Sequence, residues 1–207
     1  MLRLTGSERA VAEIAAIAEH IASLTAAASS FMLQPDVPAP AEHFAGSNVP
    51  LLDEKTGPEA ASTLAEIRDW SQSALGIQHI PSVWRALAHH PRLLEACWRK
   101  NRLVLTAGVL DERTKAGAAL AVAQFRQSTY WIAYQTQFLR VSCGFDDRSL
   151  VEAAAMMMHS LSFNTVAHGM RLDAPMDNLA AADFGPGGRF ENTPGPGRPA
   201  ATNVPAS

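Results

Sequence analysis

The sequence predicts an all-α protein. Alanine is abundant, β-branched residues rarely alternate with polar ones, and apolar residues recur at spacings of three and four. Serine, threonine or aspartate precedes several of these apolar runs and glycine follows them, as at the caps of helices. These three observations favour helix along most of the chain.

The first predicted helix runs from about Ser7 to Ala28, and Thr5 and Glu8 have the spacing of a capping box. Charged residues interrupt it, so we expect a surface helical arm rather than a secretion signal or a membrane span. One apolar stripe is expected to pack on the main domain or on a neighbouring subunit. The stripe consists of Val11, Ile14, Ala18, Ile21 and Leu24.

Four prolines fall between Gln34 and Pro50, and we call this segment the strap. Proline fixes φ and removes an amide donor, so the strap is expected to be an extended connection. A second helix is predicted to start near Pro58, a residue favoured in the first turn, and to end near Gly76.

The segment Ile80–Thr106 is expected to form two helices. The break falls at Pro91, because proline disfavours the helical conformation of His90 before it. Gly108 is the expected C-terminal cap of the second helix.

Three further helices are predicted, each introduced by a residue type that caps helices. Their expected spans are Asp111–Gln127, from Ser128 or Thr129 to Ser142 with a stop at Gly144, and Asp146–His168 with a stop at Gly169.

From Asp183 the chain is rich in glycine and proline and is predicted to be a disordered or draped tail. The expected organisation is therefore an N-terminal helix and strap (1–55), a helical domain (56–178) and a tail (179–207).

Charge and cysteine content exclude several classes of function. The net charge is −3 and the pI about 6.1, so no basic surface is predicted to bind nucleic acid. The two cysteines, Cys97 and Cys143, form no C-x-x-C pair and suit a reducing compartment. We expect a cytoplasmic protein with no metal site and no cofactor.

Four segments carry a resemblance to a known family. They are Gly76-Ile77-Gln78-His79-Ile80-Pro81 continuing to Ala88-His89-His90-Pro91, Leu110-Asp111-Glu112-Arg113, Ala118–Val122 leading to Ser128, and Cys143-Gly144-Phe145-Asp146. In spacing, this region to Ala155 resembles the alkylhydroperoxidase-like, or carboxymuconolactone decarboxylase-like, family. The resemblance implies a helical bundle that assembles as a homo-oligomer, a trimer or hexamer, with a paralogous subunit as an alternative partner.

The family's peroxidases use a glutamate followed about a dozen residues later by C-x-x-C-x-x-x-H. One thiolate attacks the peroxide, the second cysteine resolves the sulfenic acid, and the histidine and glutamate move the proton. Aligned with this chain, those positions hold Ala116, Ser128, Trp131 and Gln135. Thr114 to Phe145 contains no Asp, Glu or His, so a shifted alignment does not restore the motif.

Aromatic side chains are expected to refill the space of the family's redox pocket. They are Phe125, Tyr130, Trp131, Tyr134 and Phe138. Ser128 is interpreted as a helix cap, because no histidine is near it in sequence to activate a nucleophile. Glu112 is expected to be a surface acid and Lys115 a solvated or snorkelling side chain.

The leading hypothesis is a redox-inactive relative, or pseudoenzyme, that serves as a structural, binding or partner subunit. A second is a cofactor-free lyase or isomerase, decarboxylase-like, acting on a small carbonyl or aromatic acid. Its candidate pocket residues are Arg126, Tyr130, Tyr134, Gln135 and His159. A third is a residual thiol peroxidase that uses Cys97 or Cys143.

Overall fold

A computed structural model describes residues 6–39, 47–106 and 108–170, and these ranges hold seven α-helices, one 3₁₀ turn at Pro58–Ala60, and no strand. The all-α prediction is confirmed. The helices are α1 (Gly6–Ser30), α2 (Ala61–Leu75), α3 (Ser82–Leu87), α4 (Pro91–Leu105), α5 (Glu112–Phe125), α6 (Thr129–Val141) and α7 (Asp147–Gly169). Thr5 and the predicted tail lie outside the described residues.

Helix α1 packs against α4, α5 and α6 through its second half. Ile17, Ile21 and Leu24 are buried there. The predicted stripe is wrong in its first half, because Val11 and Ile14 are 69% and 41% exposed. The helices that bury the stripe reach it only from about Ile17 onward. By length and composition α1 is the one described helix that could cross a membrane, yet the apolar side chains of its second half lie in the protein core.

Local capping residues set most helix boundaries. Aspartate or serine precedes α5, α6 and α7, and in each case its side chain accepts a hydrogen bond from the backbone N–H three residues later. The donors are Thr114 N to Asp111 (2.7 Å), Trp131 N to Ser128 (3.4 Å) and Ser149 N to Asp146 (2.8 Å). Gly76 and Gly144 follow α2 and α6 with φ of +67°, where glycine is favoured.

The end of α4 differs from the prediction. Its cap is Thr106 in an extended conformation, and not Gly108. Lys115 of α5 replaces the glycine cap, since its Nζ donates to the carbonyl oxygens of Val104 (3.2 Å) and Thr106 (2.8 Å). These carbonyls would otherwise lack partners, as helix ends do.

Lys115 is buried, with 3% of its surface exposed, so the expectation of a solvated side chain is wrong. Its Nζ also lies 3.1 Å from a carboxylate oxygen of Glu13 on α1. The same carboxylate accepts the backbone N–H groups of Val109 and Leu110. Glu13 therefore ties α1 to α5 and to the turn between α4 and α5.

Contacts divide the chain into two compact units, Met1–Leu161 and Ser162–Ser207. Within the first unit, Leu150 and Ala153 of α7 pack against the core. Val151 and Met156 of the same helix are 67% and 73% exposed. The start of α7 thus presents apolar side chains to its surroundings.

Candidate functional site

The centre of the helical bundle is a cluster of aromatic rings. All four tryptophans of the chain belong to it, and they come from α2, α3, α4 and α6. The centroid distances are 5.4 Å for Trp70–Trp98, 5.3 Å for Trp84–Trp98, 6.4 Å for Trp84–Trp131, 4.8 Å for Trp131–Tyr134 and 5.9 Å for Trp70–Phe138. Phe125 is 59% exposed at the end of α5, so its predicted place in the cluster is wrong.

The four positions that the sequence resemblance aligns with the family's redox residues are all buried. Ser128 caps α6, Trp131 is fully enclosed, and Ala116 is a buried residue of α5. Gln135 is 1% exposed, and its Nε2 has no hydrogen-bond partner. None of the three cavities that we describe is lined by these residues.

The residues of the predicted lyase pocket do not converge on one cavity. Tyr130, Tyr134 and Gln135 are buried in packed core. Arg126, at the end of α5, and His159, on α7, are both exposed. A substrate therefore cannot reach the two tyrosines and Gln135, whereas Arg126 and His159 lie outside that core.

A buried carboxylate that the sequence did not indicate lies against Tyr130. Asp36 of the strap is 2% exposed, and its Oδ2 accepts the backbone N–H of Ser82 at 2.6 Å. The Tyr130 hydroxyl accepts the N–H of Val83 at 3.1 Å and lies 3.4 Å from the Ser82 hydroxyl. His79 bonds to the main-chain oxygen of Asp36 (2.7 Å) and not to its carboxylate.

Burial governs the acidity of this group of side chains. It raises the pKa of Asp36 above its usual range, although the Ser82 N–H works in the opposite direction. Burial also raises the pKa of Tyr130 well above its ordinary value, with the Asp36 charge as a second cause. Both groups ionise less readily here than in water, and their hydrogen bonds join the strap to α3 and α6.

The two thiols are separate and weakly acidic. Both are half-buried and unpaired in a disulfide. Desolvation raises the pKa of Cys97, and desolvation followed by the nearby Glu112 carboxylate raises the pKa of Cys143. A raised pKa lowers the fraction of thiolate, which is the nucleophilic form. Within the described ranges, no three His, Cys, Asp or Glu side chains come together as metal ligands.

The helical bundle and its aromatic centre define an all-α fold of the alkylhydroperoxidase type. The structure is similar to the crystal structure of the alkylhydroperoxidase AhpD core from Rhodospirillum rubrum ATCC 11170, with a TM-score of 0.55 and 25% sequence identity. The similarity covers 64% of this chain and 97% of that one. It confirms the AhpD-like fold that the sequence predicted. No family model matches the chain, and no curated protein matches it by sequence.

Proposed function

We propose that this chain is a redox-inactive relative of AhpD-like proteins and acts as a structural, binding or partner subunit. The observation that carries the proposal is the filling of the redox position by Trp131 and Gln135, both buried. A two-cysteine peroxidase needs a thiolate, a resolving thiol and a proton carrier within reach of one another. Among the described residues, the Ser128 hydroxyl caps a helix, and the side chains around it are tryptophans and tyrosines.

The remaining cysteines support the same proposal. Cys97 is on α4 and Cys143 follows α6, so neither occupies a family position. Because burial raises the pKa of both thiols, each is mostly protonated at neutral pH. A one-cysteine peroxidase would need the reverse shift.

A peroxidase assay tests the proposal. The purified chain is mixed with tert-butyl hydroperoxide or cumene hydroperoxide and a dithiol reductant, and peroxide consumption is followed. We expect no turnover above the rate without protein. The Cys97→Ser/Cys143→Ser double variant is the matched control. Turnover that persists in the double variant contradicts the proposal, and turnover that disappears with the cysteines supports the one-cysteine alternative instead.

The subunit role includes assembly. We place the chain in the cytoplasm as a homo-oligomer, a trimer or hexamer, or beside a paralogous subunit. The exposed Val151 and Met156 of α7 support this, since apolar side chains left exposed on a helix are available to a protein interface. The lyase hypothesis has less support, because its candidate residues lie either in packed core or on the outside.

A further inference from the structure

A small cleft opens between α2, α4, α5 and the end of α6. Its volume is about 90 Å³. This volume equals that of about three water molecules in the liquid. One small organic molecule of the same total volume would also fit. Ser142 at its rim follows α6, whereas Ser128 precedes α6, so the cleft lies at the opposite end of that helix from the redox position.

Two aromatic rings form a flat wall of the cleft. Trp70 and Phe138 stack with centroids 5.9 Å apart and planes 14° apart. The guanidinium carbon of Arg102 lies 5.7 Å from the Trp70 ring centroid and 5.9 Å from that of Trp98. Two cation–π contacts therefore hold the Arg102 charge at the cleft.

A carboxylate lies in the wall beside this cation. Glu112, the first residue of α5, lines the same cleft as Arg102. Among the ion pairs of the described residues, none joins these two side chains. The cleft thus holds one positive and one negative group that do not neutralise each other directly.

Two hydroxyl groups and one side-chain amide of the cleft are held in fixed orientations by hydrogen bonds. Ser142 Oγ donates its hydrogen to the carbonyl of Ala74 at 2.9 Å, and Thr106 Oγ1 donates to the carbonyl of Arg102. Both hydroxyls therefore have only lone pairs left to offer. Asn101, 1% exposed, is held in position by His20 Nε2 at 3.1 Å from its Oδ1. The cleft is rich in hydrogen-bond acceptors and has one strong cationic donor.

We propose that this cleft binds a small zwitterion of the amino-acid class, with its carboxylate on Arg102 and its ammonium on Glu112. The ammonium donates three hydrogens, which match the Glu112 carboxylate and the hydroxyl lone pairs. The carboxylate meets the guanidinium by charge-assisted hydrogen bonds. The volume suits a ligand of the size of glycine or alanine. The inference rests on the cleft alone and goes beyond the proposed function, so either one survives failure of the other.

Titration of the full chain with glycine and with L-alanine tests the inference. Tryptophan fluorescence and indole N–H resonances report binding, because Trp70 forms the wall. We expect a saturable change in the millimolar range, as suits so small a ligand. Acetate and methylammonium, which each carry one of the two charges, are expected to bind at least about tenfold more weakly.

Charge-neutral variants locate the site. Arg102→Gln and Glu112→Gln are each expected to weaken glycine binding at least about tenfold. Arg99→Gln, on the same helix but 78% exposed and paired with Glu95, is the matched control and is expected to bind as the native chain does. Circular dichroism confirms that each variant is folded. Absence of a saturable change, acetate binding as tight as glycine binding, or equal affinity in the native chain and both cleft variants would overturn the inference.

Discussion

Burial disfavours the ionised form of the Asp36 side chain. Because burial raises its pKa, the folded chain holds this proton more tightly than the unfolded chain does. The resulting stabilisation is present below the unfolded pKa and is lost as the pH rises through the folded pKa. Asparagine can accept the Ser82 N–H and has no proton to lose. Relative to the native chain, Asp36→Asn is expected to raise Tm by about 2–4 °C more near pH 8 than near pH 4.

Thermal unfolding followed by circular dichroism over that pH range measures the difference. Asp69→Asn is the control, since the Asp69 side chain is 73% exposed. If the difference in Tm between Asp36→Asn and the native chain did not vary with pH, the pKa of Asp36 would not be raised by burial.

Tyr130 and Tyr134 are one helical turn apart and differ in their hydrogen bonds. The Tyr130 hydroxyl accepts the Val83 N–H, whereas the Tyr134 hydroxyl lies near the Trp84 indole without a bond of normal geometry. Tyr130→Phe leaves a buried N–H unpaired and is expected to lower the free energy of unfolding by about 1–3 kcal/mol. Tyr134→Phe is expected to cost less than about 1 kcal/mol.

Urea denaturation of the two phenylalanine variants measures this contrast. The matched pair keeps residue type, helix and burial nearly constant. Equal losses in both variants would show that the Val83 contact contributes nothing to stability.

Single residues were predictable where their partners are near in sequence. Ser128 was expected to cap α6, and the capped N–H is three residues away. Asp36 could not be found in this way, because its partner Ser82 is 46 residues distant and reached only by folding. A lone aspartate in a proline-rich segment carries no sequence signal of burial.

At the scale of elements, Lys115 is the contact on which the α1–α4–α5 junction depends. It donates to two carbonyls at the end of α4 and pairs with Glu13 of α1. Lys115→Met keeps the buried stem and removes these bonds. We expect the free energy of unfolding to fall by about 1–3 kcal/mol, because partly buried carbonyl acceptors lose a charged partner.

Lys100→Met is the matched control in the same denaturation experiment. Lys100 pairs with Glu19 of α1, but both side chains are largely exposed. Exposed pairs contribute less than about 1 kcal/mol. If both lysine variants lost the same stability, burial of Lys115 would not be the cause.

Helix number and most helix ends were predictable, because caps and prolines act within one turn of the chain. Asp111, Ser128 and Asp146 cap as expected, and the break before Pro91 is observed. The exposed start of α1 was not predictable. Apolar periodicity shows which face of a helix is apolar, but it does not show how far along that face the neighbouring helices extend. The Gly108 prediction failed because a lysine from the next helix satisfied the open carbonyls.

For the whole molecule, assembly is the property most open to test. Light scattering after size exclusion is expected to give a trimer or hexamer of the 22.2 kDa chain. Val151→Lys with Met156→Lys adds charge to the exposed start of α7 and is expected to lower the mass by dissociation. Val11→Lys, at a comparably exposed position on α1, is the control and is expected to keep the native mass. A monomeric native chain would contradict the assembly.

The tryptophan cluster has an optical consequence. Each of α2, α3, α4 and α6 contributes one indole, and neighbouring indoles are 5.3 to 6.4 Å apart from centre to centre. At such separations the strong far-ultraviolet transitions of neighbouring indoles couple, so the far-ultraviolet circular dichroism should show a pair of bands of opposite sign. Departure of any one of these four helices removes at least one of the three indole pairs and so weakens this signal. The chain therefore contains its own spectroscopic gauge of whether its centre is assembled, with no added label.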